Sequence, residues 1–403
     1  IMKVCGLDVH KDSIFCSIYD GKTTSEVKIF DSTTRAIYEM GEHLMTERVK
    51  RVAMESTSIY WIPVWNILLE MGFELTLVNP FLIKQMPGRK SDVKDAQWIA
   101  TLLHKNLIRG SVIPNSTIQE LRFYTRKYMK LQQDKCKLLT KMDRIMVMAN
   151  IRISSCVSKL TNKSVIMVID ALIKGETNPD NLMKLVYGNT KNKQSGKLRE
   201  ALTGYIKDHH RKVLKWEKEI YDNLERQTIE CVEEMERICE EHYKDEMVLL
   251  QSLPGVSKIT AICLIAETGA DMSVFENSGK LTGWAGLRPR NDESAGKFKS
   301  KAITKGNKYL RVVLIQVAWA ASRTKGSYFM EKYHRLSMRK SNKKAVVAIG
   351  RKILVIIWNM LKEKKPYNPN LVCIYDPIKI ERTLAYHRKE MEKAAKLLHK
   401  EII

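Results

Sequence analysis

Val4-Cys5-Gly6-Leu7-Asp8-Val9, followed after His10-Lys11-Asp12 by Ser13-Ile14-Phe15-Cys16-Ser17-Ile18-Tyr19, is the stretch that decides the fold. Its first six residues make a short apolar strand with one carboxylate near the end. Lys11-Asp12 suits a turn, and residues 13–19 alternate as a partner strand should. A carboxylate closing an apolar strand costs free energy unless it is paired or metal-bound. Asp8 is therefore a fold marker and a candidate for chemistry at once.

Working outward, Glu26–Phe30 predicts a third strand, and residues 34–48 carry helical spacing in Ile37, Met40 and Leu44. Val49–Met54 is a fourth strand running into Glu55, with a helix over about 58–71. Glu74–Val78 is a fifth strand, closed by Asn79-Pro80. Three meandering strands followed by helix, strand, helix, strand is the order of an α/β ribonuclease H-like sheet.

Beyond it the chain turns helical. Residues 116–150 are dense in Lys, Arg, Leu and Met, and 152–200 read as short helices broken at Gly175, Pro179, Gly188 and Gly196. Residues 205–246 form a long helical stretch with an irregular apolar stripe of Tyr205, His209, Leu214, Ile220, Leu224, Ile229, Val232 and Met235. Two readings fit this middle: a coiled-coil arm, or a plain helical hairpin packed on the core. The texture changes again at Leu253-Pro254-Gly255-Val256, where a second compact, mainly helical domain begins. The expected divisions are 1–126, 127–246, 247–375 and a basic helical tail, 376–403.

Composition narrows the partners. In 403 residues, 69 Lys and Arg stand against 45 Asp and Glu, a net charge of +24. Such an excess repels itself without an anionic partner, and nucleic acid is the commonest; a generally basic protein holding polyanions non-specifically is the alternative. None of the eight cysteines forms a C-x-x-C pair, and no His lies near enough to suggest zinc. Most sit in apolar stretches, as reduced core thiols of a cytoplasmic protein would. A signal peptide and a run of about 18 apolar residues are both lacking, so no membrane association is expected.

Three constellations carry chemistry. Asp8, Glu55 on a neighbouring strand, and Asp92 and Asp95 one helical turn apart form a set of four carboxylates. Converging carboxylates hold hard divalent cations, and two such ions stabilise the attacking and leaving oxygens of a phosphodiester displacement. Lys90 and Lys94 stand close by to counter the charge or grip a phosphate. Singly, each carboxylate also has a structural reading: Asp8 and Glu55 as caps, Asp92 and Asp95 as a solvated face. The second constellation is Ser294, in Glu293-Ser294-Ala295-Gly296-Lys297, expected in a loop among Arg288, Arg290, Lys297, Lys299, Lys301, Lys305, Lys308 and Arg311. Such a serine is either a nucleophile or one more phosphate contact. The third is Leu253-Pro254-Gly255-Val256-Ser257-Lys258, a glycine turn before a helix that suits phosphate contact or is ordinary punctuation.

Together GLDVHKDS, AMESTSIYW and KSDVKDAQWIA in the N-terminal half, with LPGVSKITA, LTGWAGLRPR, ESAGK and ITKGNKYLR in the C-terminal half, resemble the DEDD insertion-sequence transposases that include the Piv invertase. The middle, about 127–246, matches only in being helical. The resemblance implies a RuvC-like N-terminal domain with its tetrad on Asp8, Glu55, Asp92 and Asp95, holding Mg²⁺ with Mn²⁺ as a substitute. It implies a C-terminal transposase domain with its serine nucleophile at Ser294. It also implies DNA strand joining through a protein-linked intermediate, guidance by a non-coding bridge RNA, and homodimers assembling to tetramers. Two rivals stay open: a RuvC-like nuclease or junction resolvase acting by hydrolysis, and a basic DNA- or RNA-binding protein without activity.

Overall fold

The structure, a computed structural model, describes residues 2–56, 58–79, 92–108, 110–187, 195–290, 292–294, 297–300, 302–369 and 377–400. The chain divides into two compact units, the first ending at Pro114 and the second beginning at Asn115.

In the first unit the elements run β1 (Val4–Val9), β2 (Ser13–Tyr19), β3 (Lys28–Asp31), α1 (Thr34–Thr46), β4 (Arg51–Glu55), α2 (Trp61–Glu70), β5 (Glu74–Val78) and α3 (Asp92–His104). They build one sheet in the order β3-β2-β1-β4-β5. The first three strands pair antiparallel through tight connections, while β4 and β5 join parallel to β1 after the crossovers α1 and α2. This is the expected ribonuclease H-like order. In β1, Cys5, Leu7 and Val9 face the core built with Ile37, Met40 and Leu44 of α1 and Val64 and Leu68 of α2. Val4, with Ala53 of β4 and Val78 of β5, packs instead on Ile99 and Leu103 of α3. Cover on both faces explains why β1 reads as an unbroken apolar run. The edge strand β3 is short and largely exposed, and lies two residues later than the sequence placed its start.

Gly6 sets how close α3 comes. It shares a strand face with Val4 and Asp8. A Cβ at Gly6 would lie 2.3 Å from the Ala96 carbonyl oxygen and 2.4 Å from the Ala100 nitrogen. Gly6→Ala must push the helix away, with an expected cost of about 1–3 kcal/mol from overpacking. Thermal melting of the variant checks this, and a melting temperature equal to wild type would contradict it.

The second unit is almost all helix. It runs α4 (Ser116–Met148), α5 (Lys163–Ile173), α6 (Pro179–Lys184), α7 (Ser195–Leu202), α8 (Asp208–His242), α9 (Lys244–Gln251), α10 (Lys258–Thr268) and α11 (Ser278–Trp284). The hairpin β6 (Asp292–Ser294) and β7 (Lys297–Ser300) follows, then α12 (Lys308–Ala321), α13 (Tyr328–Ser337), α14 (Asn342–Glu363) and α15 (Pro377–Lys400). Helices α4 and α8 run antiparallel. Asn115 meets Tyr243, the Cys231 thiol donates to the Tyr124 carbonyl at 3.2 Å, and Lys135 pairs with Glu225. One end of the pair enters a core with α10, α12 and α14, and the other packs on α5, α6 and α7. The middle is thus a helical hairpin packed at both ends.

Two expectations change here. The buried stripe of α8 is His210, Leu214, Thr228, Cys231, Met235, Ile238 and Cys239, while Ile220 and Ile229, which the apolar reading had included, are half-exposed. The seam steps by three and four residues and accepts small and polar side chains, which a hydrophobicity count passes over. The first unit ends at Pro114, where the sequence reading set 126, because Asn115 caps α4 and its Ile118 and Leu121 bury in the second unit. Residues of 127–246 and 247–375 share that same core.

Candidate carboxylate site and serine hairpin

Two strands and a helix bring the first site together. Leu7 of β1 lies beside Met54 of β4 in parallel register, so the next residues, Asp8 and Glu55, are neighbours at the carboxyl ends of their strands. Helix α3 crosses back over this face with Ala96 and Ala100 against Gly6 and Ile99 and Leu103 against Val4. It runs from the Asp8 end of β1 towards the Val4 end, so its first turn, with Asp92 and Asp95, starts over the carboxylates. Asp8 is 5% exposed and Glu55 8%. Asp95 is partly buried and Lys94 exposed. Asp92 opens α3, but its side chain, like all of Lys90, lies outside the described residues.

The charges interact. Burial pushes the Asp8 carboxyl above its ordinary value; His10 pulls against this, and the negative charges of Glu55 and Asp95 add to the rise. His10 Nε2 lies 3.1 Å from Asp8 Oδ2. His10 was not singled out from the sequence, although a His two residues after a strand-end Asp has the spacing to reach it. The donor chemistry suits a hard cation: carboxylate oxygens of like charge, held against one another in a low-dielectric place. Among the described residues, no three His, Cys, Asp or Glu side chains are drawn into a metal-sized cluster.

The serine belongs to the second unit. Arg288–Arg290 pairs with 302–304, Thr304 N donating to Arg288 O and Arg290 N to Ala302 O, both at 3.0 Å. The ladder continues into β6 and β7, where Ser294 pairs with Lys297 at the closed end. Ser294 therefore sits at the end of a strand rather than in an open loop, with Ala295-Gly296 between it and its partner. Arg288, Arg290, Lys305 and Lys308 are exposed, and Arg311 is half-buried. The side chains of Ser294, Lys297 and Lys299, and the whole of Lys301, lie outside the described residues.

Packing fixes the base of this hairpin. A Cβ on Gly306 would lie 2.3 Å from Gly286 N and 2.5 Å from Trp284 O. Asn307 caps α12 and donates from its side chain to Glu267, which is 1% exposed. Glu267 also accepts two bonds from Arg126, at 2.8 and 3.0 Å, and the Arg126 guanidinium covers the Tyr309 ring. No sequence signal marked Glu267, whose partners lie 141 and 40 residues away.

Lys258, expected to meet phosphate, opens α10 behind the Ser257 cap. Its ammonium already pairs with Glu236 at 2.9 Å and Glu240 at 3.3 Å, and the Glu236 bond leads in raising its pKa. A phosphate would have to compete with both carboxylates.

No helix among the described residues is long and apolar enough to cross a membrane. The DEDD_Tnp_IS110 transposase model matches residues 5–150, and the model for transposases of the IS116/IS110/IS902 family matches 247–334. The pilin gene-inverting protein of Moraxella bovis is 25% identical over 43% of this chain and 52% of its own, and that of Moraxella lacunata is 28% identical over the same shares. The chain thus spans about half the length of these relatives. A Thermus thermophilus RuvC in complex with a Holliday junction substrate is 14% identical over 28% of this chain and 100% of its own, at a TM-score of 0.22; the fold assignment rests on the strand order instead. In two segments, matched in the order of the quoted motifs, the chain is thus similar to transposases of the IS110 type.

Proposed function

We propose that this protein cuts and rejoins DNA strands, with the carboxylates of the first unit and Ser294 of the second as its chemical groups. The observation that carries the reading is the pair of buried carboxylates, Asp8 and Glu55, side by side on parallel strands beneath the first turn of α3. Structural capping does not call for two like charges in one buried place. The names of the Moraxella relatives point the same way, to rearrangement of a gene rather than its degradation.

In this reading Asp8, Glu55, Asp92 and Asp95 hold Mg²⁺, or Mn²⁺ in its place. The bound ion supplies Lewis-acid stabilisation of charge on phosphate oxygens. Arg288, Arg290, Lys305, Lys308 and Arg311, with Lys297, Lys299 and Lys301, hold the DNA backbone by charge; Lys90 and Lys94 serve the carboxylate site. Ser294 Oγ attacks the scissile phosphorus as its proton passes to a base. The Oγ–P bond forms, the P–O bond to one deoxyribose breaks, and that oxygen leaves as a hydroxyl. A hydroxyl of the other strand then attacks the phosphoserine, restores Ser294 and completes the joining. A bridge RNA as guide and a homodimer assembling to a tetramer belong to the same proposal.

Metal removal tests it. On DNA carrying the native flanking sequence, strand joining should stop with EDTA and return with excess Mg²⁺ or Mn²⁺. Joining that persists through exhaustive chelation would overturn the carboxylate role.

A further inference from the structure

Between Glu331 and Glu363 the chain carries nine Lys and Arg and not one Asp or Glu. The structure gathers five of these cations at one place. Arg335 lies in the last turn of α13, Arg339 and Lys340 in the connection, and Lys343 and Lys344 in the first turn of α14. Residues 338–344 are exposed without interruption, and Met338 is 87% exposed. Several exposed cations elsewhere in this unit are answered by carboxylates, as in Lys130–Asp134, Lys137–Asp134 and Arg237–Glu234. Among the described residues no ion pair joins any of these five to a carboxylate. Ser341 makes no side-chain cap bond to α14, which leaves the first N–H groups of that helix for another acceptor. The patch lies beyond residue 334, where the matched family segment stops.

Uncompensated cations on one exposed turn cost stability through mutual repulsion, and a polyanion relieves that cost. Exposed residues 338–344 include no aromatic ring to stack on a base, so the surface suits a duplex backbone better than splayed single strands. We propose that the turn between α13 and α14 is a docking surface for the sugar–phosphate backbone of duplex DNA, separate in sequence from the 288–311 cluster. This rests on the reading that the protein works on DNA.

The test is the salt dependence of binding to a labelled 30-base-pair DNA duplex of arbitrary sequence. Full-length wild type is compared with Arg339→Ala/Lys343→Ala/Lys344→Ala and with a control, Lys159→Ala/Lys163→Ala/Lys174→Ala, which removes the same charge from other exposed positions. Every phosphate that the protein ceases to neutralise lowers the slope of log K against log salt by about 0.9. A slope lower by about 2–3 in the first variant, with the control near wild type and melting unchanged in both, is the expected result. An equal fall in both variants would show bulk charge alone, and no fall in the first would remove the surface; either overturns the inference while leaving DNA binding intact. A fall in slope seen only on an RNA duplex of equal length would overturn the assignment to DNA. Absence of binding by wild type would sink the functional reading itself, so the two failures are told apart.

Discussion

Asp8→Asn is expected to lower strand joining on the order of 10³-fold or beyond detection, without lowering the melting temperature of the metal-free protein. The two halves of this expectation share one cause. Burial and the neighbouring charges of Glu55 and Asp95 hold the Asp8 carboxyl above its ordinary value. A raised carboxyl is one whose ionised form is less welcome in the fold than in the unfolded chain. Its charge at neutral pH therefore works against folding, and the penalty fades as pH falls through the raised value. Asparagine removes the charge, keeps the shape and can still meet His10. A residue retained for stability would behave in the opposite way. Joining assays on labelled DNA and melting in EDTA read the two effects separately. Activity within tenfold of wild type, or melting lower by several degrees, would make Asp8 a structural residue.

Glu267→Ala should have the largest effect on stability. Glu267 is buried in α10 with Arg126 on both its oxygens, Arg122 donating to its backbone carbonyl and Asn307 reaching it from the cap of α12. Burial already lowers the pKa of Arg122, which Glu267 opposes. Removing the carboxylate leaves two guanidinium groups without their counter-charge and an α12 cap without its anchor. Breaking such a pair costs about 3–5 kcal/mol, and at roughly 2–4 °C per kcal/mol the melting transition of the second unit should fall by roughly 6–20 °C. Calorimetry of the full chain would show it. A shift under 2 °C would mean that the network contributes little and that the base of the serine hairpin is held by the Gly286–Gly306 contact alone.

How far the sequence foretold this depends on the kind of interaction. The strands of the first unit were legible because each sits in a sheet whose side chains alternate between two cores. β1, β2 and β5 begin and end where their apolar pattern does. Asp8 stood out because it breaks that pattern. Gly6 did not, since only the approach of Ala96 and Ala100 gives it a role. In the long hairpin the reading followed hydrophobicity and chose Ile220 and Ile229, whereas the seam admits His210 and Thr228. Lys258 reads as free for phosphate because Glu236 and Glu240 lie 22 and 18 residues earlier, in another helix. Around Ser294 the sequence reads as a loop because of Ala295-Gly296, and the pairing of 288–290 with 302–304 that makes it a hairpin is not local. The charged turn at 335–344 is visible in the sequence as a run without carboxylates, which the net charge of the whole chain averages away.

The most direct measurement of the account is a search for a denaturant-resistant protein–DNA adduct. Wild type, Ser294→Ala and Asp8→Asn would each be incubated with DNA carrying the native flanks and Mg²⁺, then run on denaturing gels. An adduct formed by wild type and absent from both variants, each still binding DNA, is the expected result. Strand cleavage by wild type and Ser294→Ala alike, with no adduct in either, would contradict the serine chemistry and make the carboxylate site a hydrolytic nuclease.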